Sequence, residues 1–140
     1  MKIMICGSMT FSKEMIETKK ILESLGHQVQ IPTDAQDIVD RKHDNDDLEA
    51  DYAHCVEKDI MREHFKFIEK SDAVLVLNHD KNGIKGYIGT ASLMELGVAH
   101  HLHKKIFLFN PLPHHSEHRW VHEVRIMQPT IIDNDLSRIR

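Results

Sequence analysis

The sequence predicts an α/β fold in which a doubly wound, five-stranded parallel sheet carries helices on both faces. Short apolar runs alternate along the chain with longer segments whose apolar residues recur at helical spacing. Residues 71–109 give the clearest unit: an apolar run, a glycine-bearing loop, a helix-like segment and a second apolar run. The right-handed crossover of such a unit places the helix over the parallel sheet. The loop that leaves the first strand lies at the carboxyl edge of that sheet, where open α/β folds bind ligands.

Each element follows from its own local pattern. Residues 12–25 place Met15, Leu22 and Leu25 at helical spacing, and Gly26 suits the left-handed turn that ends a helix. Residues 27–31 alternate between polar and apolar side chains, as a strand does, until Pro32. The predicted strands are residues 3–6, 27–31, 73–77, 106–109 and 130–132, and the predicted helices are residues 12–25, 52–70, 90–103 and 114–127.

The composition, with 41% hydrophobic and 29% charged residues, indicates one ordinary soluble domain spanning residues 1–140. A net charge of −4 supplies no basic field for a nucleic acid polymer or an acidic membrane. No apolar run approaches the roughly 20 residues that cross a bilayer, and Met1 and Lys2 lead directly into a strand rather than a signal peptide. Cys6 and Cys55 lack CxxC spacing. We therefore expect a cytoplasmic protein with reduced thiols.

Residues 33–51 differ from the rest of the chain, because they hold seven Asp and one Glu against only Arg41 and Lys42. Such a composition resists burial and predicts a solvated acidic insertion. A mobile lid over the ligand site is the alternative, since long loops beside clefts often have that role.

Gly7 and Ser8 follow the first strand, where backbone N–H groups and a hydroxyl could bind a phosphate or a sugar. A plain tight turn needs the same residues. The dinucleotide fingerprint GxGxxG and the phosphate-binding motif GxxxxGK[ST] are both absent, so nicotinamide cofactors and nucleoside triphosphate hydrolysis are not expected. We expect no cofactor.

A second glycine-bearing loop leads into the helix predicted at residues 90–103. Gly86 and Gly89 allow the backbone to approach a ligand closely, while Thr90 and Ser92 offer hydroxyls near the start of the helix. The partial positive charge of that helix end favours a phosphate or a carboxylate. Simple N-capping by either hydroxyl is compatible with this interpretation.

Glu95 is the most informative residue, because it is a single acid inside an apolar helical stretch beside the ligand-binding edge. Ser92 and Glu95 fit the S-x-x-E capping box, in which the acid only folds back onto the backbone of the cap. If the helix begins earlier, at Gly89 or Thr90, the carboxylate points toward the loop ends above the sheet. There it could attack an electrophilic carbon and form a covalent intermediate.

Asn78 and Asp80 end the third strand, so they are candidates to contact a base and to exchange a proton. Turn chemistry explains them almost as well. His114, His118 and His122 are spaced four residues apart, but such pairs bind Zn²⁺ only when a third ligand converges on them. We expect these histidines to face solvent and predict no metal site.

Three segments resemble the nucleoside 2-deoxyribosyltransferase superfamily, which includes deoxynucleoside 5′-monophosphate N-glycosidases. They are residues 3–10 (IMICGSMT), 71–78 (SDAVLVLN) and 89–100 (GTASLMELGVAH). The resemblance covers the chain to about residue 111 and is weakest in the acidic insertion and the tail. Its most specific part is the signature Met94-Glu95-Leu96-Gly97, where the family has its nucleophilic Glu.

The resemblance implies a Rossmann-like (flavodoxin-like) sheet and a retaining reaction. Glu95 would attack C1′ of a deoxyribonucleoside or its phosphate and release the base, after which water or a second base takes the sugar. Gly7 and Ser8 would line the sugar or phosphate pocket, and Asn78 or Asp80 would stand where members place a base-contacting acid. Members complete their sites with a neighbouring subunit, so the resemblance also implies a homodimer or a higher homo-oligomer, with residues from 114 onward as candidate contributors.

The sequence departs from the family pattern at Gly89, six residues before Glu95. Many transferases carry an Asp at that position and many nucleotide hydrolases a Ser, so Thr90 or Ser92 would have to substitute. Three functions stay open: an N-glycosidic-bond enzyme acting on small nucleosides or nucleotides, a non-catalytic nucleotide-binding or sensing module, and a structural domain in which Glu95 caps a helix.

Overall fold

The computed structural model describes residues 1–140 and contains a single five-stranded sheet. All neighbouring strands pair in parallel, in the order β2-β1-β3-β4-β5. This is the flavodoxin-like order, whose direction reverses between β1 and β3. The strands are β1 (Lys2–Cys6), β2 (Gln28–Gln30), β3 (Ala73–Val76), β4 (Lys105–Leu108) and β5 (Thr130–Ile131).

Helices cover both faces of the sheet, as the sequence predicts. Alternate residues of β1 point to opposite faces: Ile3 and Ile5 pack with Met15 and Leu22 of α1, while Met4 packs in a second apolar layer. That second layer contains side chains from α4, α5 and α6. The helices are α1 (Ser12–Ser24), α2 (Ala35–Val39), α3 (Leu48–Lys58), α4 (Ile60–Glu69), α5 (Thr90–His101) and α6 (Trp120–Ile126), with 3-10 turns at Met9–Phe11 and Leu136–Arg138.

The acidic insertion at 33–51 is more ordered than a solvated loop. It contains α2, which contacts α1, and the start of α3, which contacts α4. The single helix predicted at residues 52–70 is wrong, because Asp59 adopts a left-handed conformation (φ 51°, ψ 46°) that ends α3 and precedes α4. As a result, Tyr52 and Val56 are 69% and 63% exposed instead of facing the core.

The last helix begins later than the predicted residue 114. The imidazole Nδ1 of His114 accepts a hydrogen bond from the backbone N–H of Ser116 at 3.2 Å and lies 2.7 Å from its hydroxyl. Such local side-chain bonds compete with helical hydrogen bonds, so α6 starts only at Trp120. No helix in the structure combines the length and the apolar character that crossing a membrane requires.

Candidate active site

The main cleft lies where the order of the strands reverses, at the carboxyl ends of β1 and β3. Met9, which follows β1, and Ala91, at the start of α5 after β3, line it together with Glu95. The opposite wall comes from α2, α3 and the start of α4. Its volume of about 670 Å³ falls in the range of small-molecule sites. Open α/β sheets bind ligands at this reversal point.

Glu95 is held in this cleft by its helix and by one side-chain partner. Glu95 is only 7% exposed, and its Oε1 lies 3.1 Å from Nδ1 of His64 on α4. The N-cap of α5 is Gly89, so Ser92 lies inside the helix and no S-x-x-E capping box forms. The carboxylate is therefore available to the cleft and is not tied to the first amides of its own helix.

His64 is buried beside Glu95, and its second ring nitrogen, Nε2, has no hydrogen-bond partner. When Nδ1 carries the ring proton, it donates to the carboxylate, which fixes the orientation of the acid. Sequence reasoning missed this residue. The sequence does contain a signal for His64, because Ile60, His64 and Ile68 follow one another at the four-residue spacing of one helix face. In the structure all three are buried.

The thiol of Cys6, the last residue of β1, lies near the Glu95 carboxylate. Burial raises the pKa of the Cys6 thiol well above its usual range, and the negative charge of Glu95 raises it further. The thiol therefore stays protonated beside the carboxylate.

Ser8 and Lys81 form a polar rim next to the main cleft. Lys81 Nζ donates to Ser8 Oγ at 2.8 Å, and Ser8 immediately precedes Met9 of the cleft wall. Lys81 Nζ also lies 5.7 Å from the ring centroid of Tyr87, and a side chain at Gly89 would contact that ring at 3.4 Å. We call Ser8, Lys81 and the N-terminal end of α5 the anion rim, because an ammonium group, a hydroxyl and a helix N-terminus all favour a negative charge.

Asn78 is fully buried and joins the ends of β3 and β4. Its Nδ2 donates to the carbonyl of Asn110 at 2.8 Å, and its Oδ1 accepts from the backbone N–H of Asn110 at the same distance. Both ends of the amide are therefore occupied by backbone, and Asn78 does not line the main cleft.

Asp80 and Gly86 lie together in a second, smaller hollow. Asp80 Oδ1 accepts from the backbone N–H of Gly86 at 3.2 Å, and both residues line a hollow of about 580 Å³ next to Pro111. Gly86 has φ 68°, and a Cβ there would meet the Pro111 carbonyl at 2.2 Å. Gly86 therefore permits a close approach between its own backbone and that of Pro111, which is part of the same chain.

The remaining predicted site residues divide between exposed and buried positions. Thr90 is exposed at the first position of α5, and Ser92 is 2% exposed on its buried face. Gly7 lies between β1 and the anion rim, with the Leu77 carbonyl 3.2 Å from where a Cβ would be. The structure therefore brings Glu95 to the main cleft and Ser8 to its rim, with Gly89 and Thr90 at the start of the same helix.

The fold of this chain is similar to that of a solved glycosidase structure. No protein-family model matches the sequence, and a search of curated proteins gives no match. The chain is similar to the structure of the Clostridium botulinum CMP N-glycosidase BcmB, with a TM-score of 0.51 and 17% sequence identity over 96% of this chain and 90% of that one. At this identity, the likeness shows a shared fold alone.

Proposed function

We propose that this protein cleaves the N-glycosidic bond of a small nucleotide, with Glu95 as the nucleophile. The observation that carries the proposal is a carboxylate that lines a nucleotide-sized cleft at the strand-reversal point and is held by His64. The sequence signature around Glu95 and the fold shared with a CMP N-glycosidase support the same function.

The reaction proceeds in two balanced steps. One oxygen of Glu95 attacks C1′ of the sugar, the C1′–N bond breaks, and the base leaves with the bonding electrons and takes up a proton. The resulting glycosyl ester is then attacked at C1′ by water or by a second base, which gives up a proton and restores the free carboxylate. Two displacements at one carbon retain its configuration.

The environment of Glu95 supports this role in two ways. The His64 contact fixes its rotamer, so that binding a substrate does not have to order the nucleophile. The apolar side chains in the cleft, including Met9, Ile60 and Phe65, exclude water and provide surface for a base or a sugar face.

The substrate that we propose carries a 5′-phosphate. The main cleft itself offers no Lys or Arg, whereas the adjoining anion rim offers the Lys81 ammonium, the Ser8 hydroxyl and the start of α5. A nucleoside in the cleft with its phosphate on this rim uses both surfaces. Cytidine 5′-monophosphate, its deoxy form and the other nucleoside monophosphates are therefore the first compounds to test.

The experiment is to incubate the protein with ribo- and deoxyribonucleoside 5′-monophosphates and to follow base release by chromatography. Adding a second free base separates transfer from hydrolysis. Glu95→Gln removes the nucleophile, whereas Glu69→Gln alters an exposed acid at the end of α4 and serves as the matched control. We expect turnover by the wild type and by Glu69→Gln but none by Glu95→Gln. Equal turnover by both variants contradicts the proposal.

Gly89 favours one second candidate, a nucleotide-binding module without catalysis. The N-cap of α5 carries no side chain, so this position supplies no polar group to orient a sugar hydroxyl or a phosphate. Under this alternative, calorimetry would detect nucleotide binding that weakens when Lys81 is changed, with no base released by the wild type over many hours.

A further inference from the structure

A compact group of histidines and aspartates lies in the wall of the main cleft opposite α5. Asp34, His43 and His54 each offer one ligand atom, and these atoms all lie within 4.8 Å of one another. Both carboxylate oxygens of Asp34 lie close to His54 Nε2, at 3.1 and 3.0 Å. Asp51 Oδ1 is 2.8 Å from His43 Nε2. We call these four residues the histidine–aspartate cluster.

The charges in the cluster suit a divalent cation. The rings of His43 and His54 lie with their centroids 4.4 Å apart and their planes inclined by 35°. The carboxylates of Asp34 and Asp51 are partly buried, and each lies against one of these imidazoles. A divalent cation at this point would take a carboxylate oxygen from Asp34 and a ring lone pair from each histidine.

The cluster also joins a part of the chain that has little apolar packing. Asp34 precedes α2, His43 lies between α2 and α3, and His54 belongs to α3. No residue of α3 is buried, and its Leu48 is 75% exposed. Apolar burial therefore contributes little to the position of α3, and the polar contacts of the histidine–aspartate cluster contribute much of what holds it.

We propose that Asp34, His43 and His54 bind a Zn²⁺ ion, with Asp51 as a hydrogen-bonding partner of His43. Two imidazoles with carboxylate oxygens form a borderline donor set that suits zinc, and ligand distances of about 2.0–2.2 Å require adjacent donors about 3.3 Å apart. The Asp34 oxygens lie 3.1 and 3.0 Å from His54 Nε2, which is already close to that value. The bound ion links α3 to the start of α2 and fixes the conformation of the cleft wall opposite Glu95. Zn²⁺ binding does not depend on the proposed cleavage of an N-glycosidic bond.

The test is a calorimetric titration of chelator-treated, dialysed protein with Zn²⁺. We expect one ion per chain, a Kd below about 1 μM, and a rise in the melting temperature with Zn²⁺. The double variant His43→Ala/His54→Ala is expected to bind at least about 100-fold more weakly, more than the loss of an outer hydrogen-bonding partner costs. Titration with Co²⁺ gives a second readout, because a tetrahedral site has a characteristic visible absorption band.

The chain offers a matched control in His114 and His115. Their rings are also close, with centroids 4.2 Å apart, but His114 pairs with a hydroxyl and His115 with Arg125 instead of with carboxylates. The variant His114→Ala/His115→Ala should keep the tight Zn²⁺ site. Should the His43/His54 variant fail to fold, Asp34→Asn removes one ligand charge with little change in shape. Equal Zn²⁺ affinity in wild type and cluster variants, absence of tight binding by the wild type, or loss of the site in the His114/His115 variant would each overturn the proposal.

Discussion

Nδ1 of His64 lies 3.1 Å from Oε1 of Glu95, which joins α4 to α5 across the floor of the main cleft. The two residues are 31 positions apart in the chain and both are almost fully buried. A buried carboxylate needs a donor, and His64 supplies one without closing the cleft. The pair therefore serves stability and the orientation of the proposed nucleophile together.

His64 should act as a positioning residue, and two substitutions separate this from a packing role. His64→Asn keeps a side-chain N–H near the position of Nδ1, whereas His64→Leu keeps bulk and removes the donor. We expect kcat to fall by about 10- to 100-fold in His64→Leu with a smaller change in KM, because the carboxylate loses its orientation. His64→Asn should recover most of kcat. Steady-state kinetics with a pH profile measure kcat and KM for both variants. Equal losses of kcat in His64→Leu and His64→Asn would assign His64 to packing alone.

Cys6 should make the protein sensitive to alkali. Its thiol ionises near its ordinary pKa of 9.0 in the unfolded chain but keeps its proton in the fold, where burial and Glu95 raise the pKa. The unfolded state then binds fewer protons, so the free energy of unfolding decreases as the pH rises above about 9, by at most about 1.4 kcal/mol per pH unit. Urea denaturation at a series of pH values measures the slope. Cys6→Ala should reduce that slope, and an unchanged slope would show that the thiol does not contribute.

Asn78 should contribute to stability more than to base selection. Asn78→Ala removes two buried hydrogen bonds to Asn110, which costs about 2–4 kcal/mol of the free energy of unfolding. The ratio of kcat/KM values among different bases should stay within about twofold, because the side chain does not reach the main cleft. Denaturation and a substrate panel measure the two effects. A large change in base preference at unchanged stability would restore the base-contacting role implied by the resemblance.

Lys81 should determine the preference for a 5′-phosphate. Lys81→Gln removes the ammonium that contacts Ser8, so KM for a nucleoside monophosphate should rise by about 10-fold or more while that for the free nucleoside changes little. Lys85→Gln, in the same loop but exposed and outside the rim, is the matched control. Identical kinetics in the two variants would place the phosphate elsewhere.

The sheet was predictable from the sequence because each strand is a local pattern. All five strands appear within one or two residues of their predicted ends, and their parallel pairing follows from the intervening helices. The break between α3 and α4 was not predictable in the same way. Tyr52, Val56 and Ile60 continue one helical spacing across it, and the chain turns at Asp59, which is neither Gly nor Pro.

The site was only partly predictable, because its contacts join distant parts of the chain. Glu95 was recognisable as a lone acid in an apolar helix, but its partner His64 comes from another helix. The histidine–aspartate cluster was even harder to predict from the sequence. Asp34, His43 and His54 share no motif spacing and come together only when α2 and α3 fold. The resemblance to the deoxyribosyltransferases covers Glu95, while homo-oligomerisation stays a prediction.

The central claim is that Glu95 forms a covalent bond to the sugar, and intact-protein mass spectrometry tests it most directly. The protein is mixed with a nucleoside 5′-monophosphate that it turns over, quenched in acid within the first turnovers, and digested to locate any adduct. We predict a mass increase of one sugar phosphate on the peptide containing Glu95, and no increase in Glu95→Gln. Base release by the wild type without any adduct, or an adduct that persists in Glu95→Gln, would contradict the account.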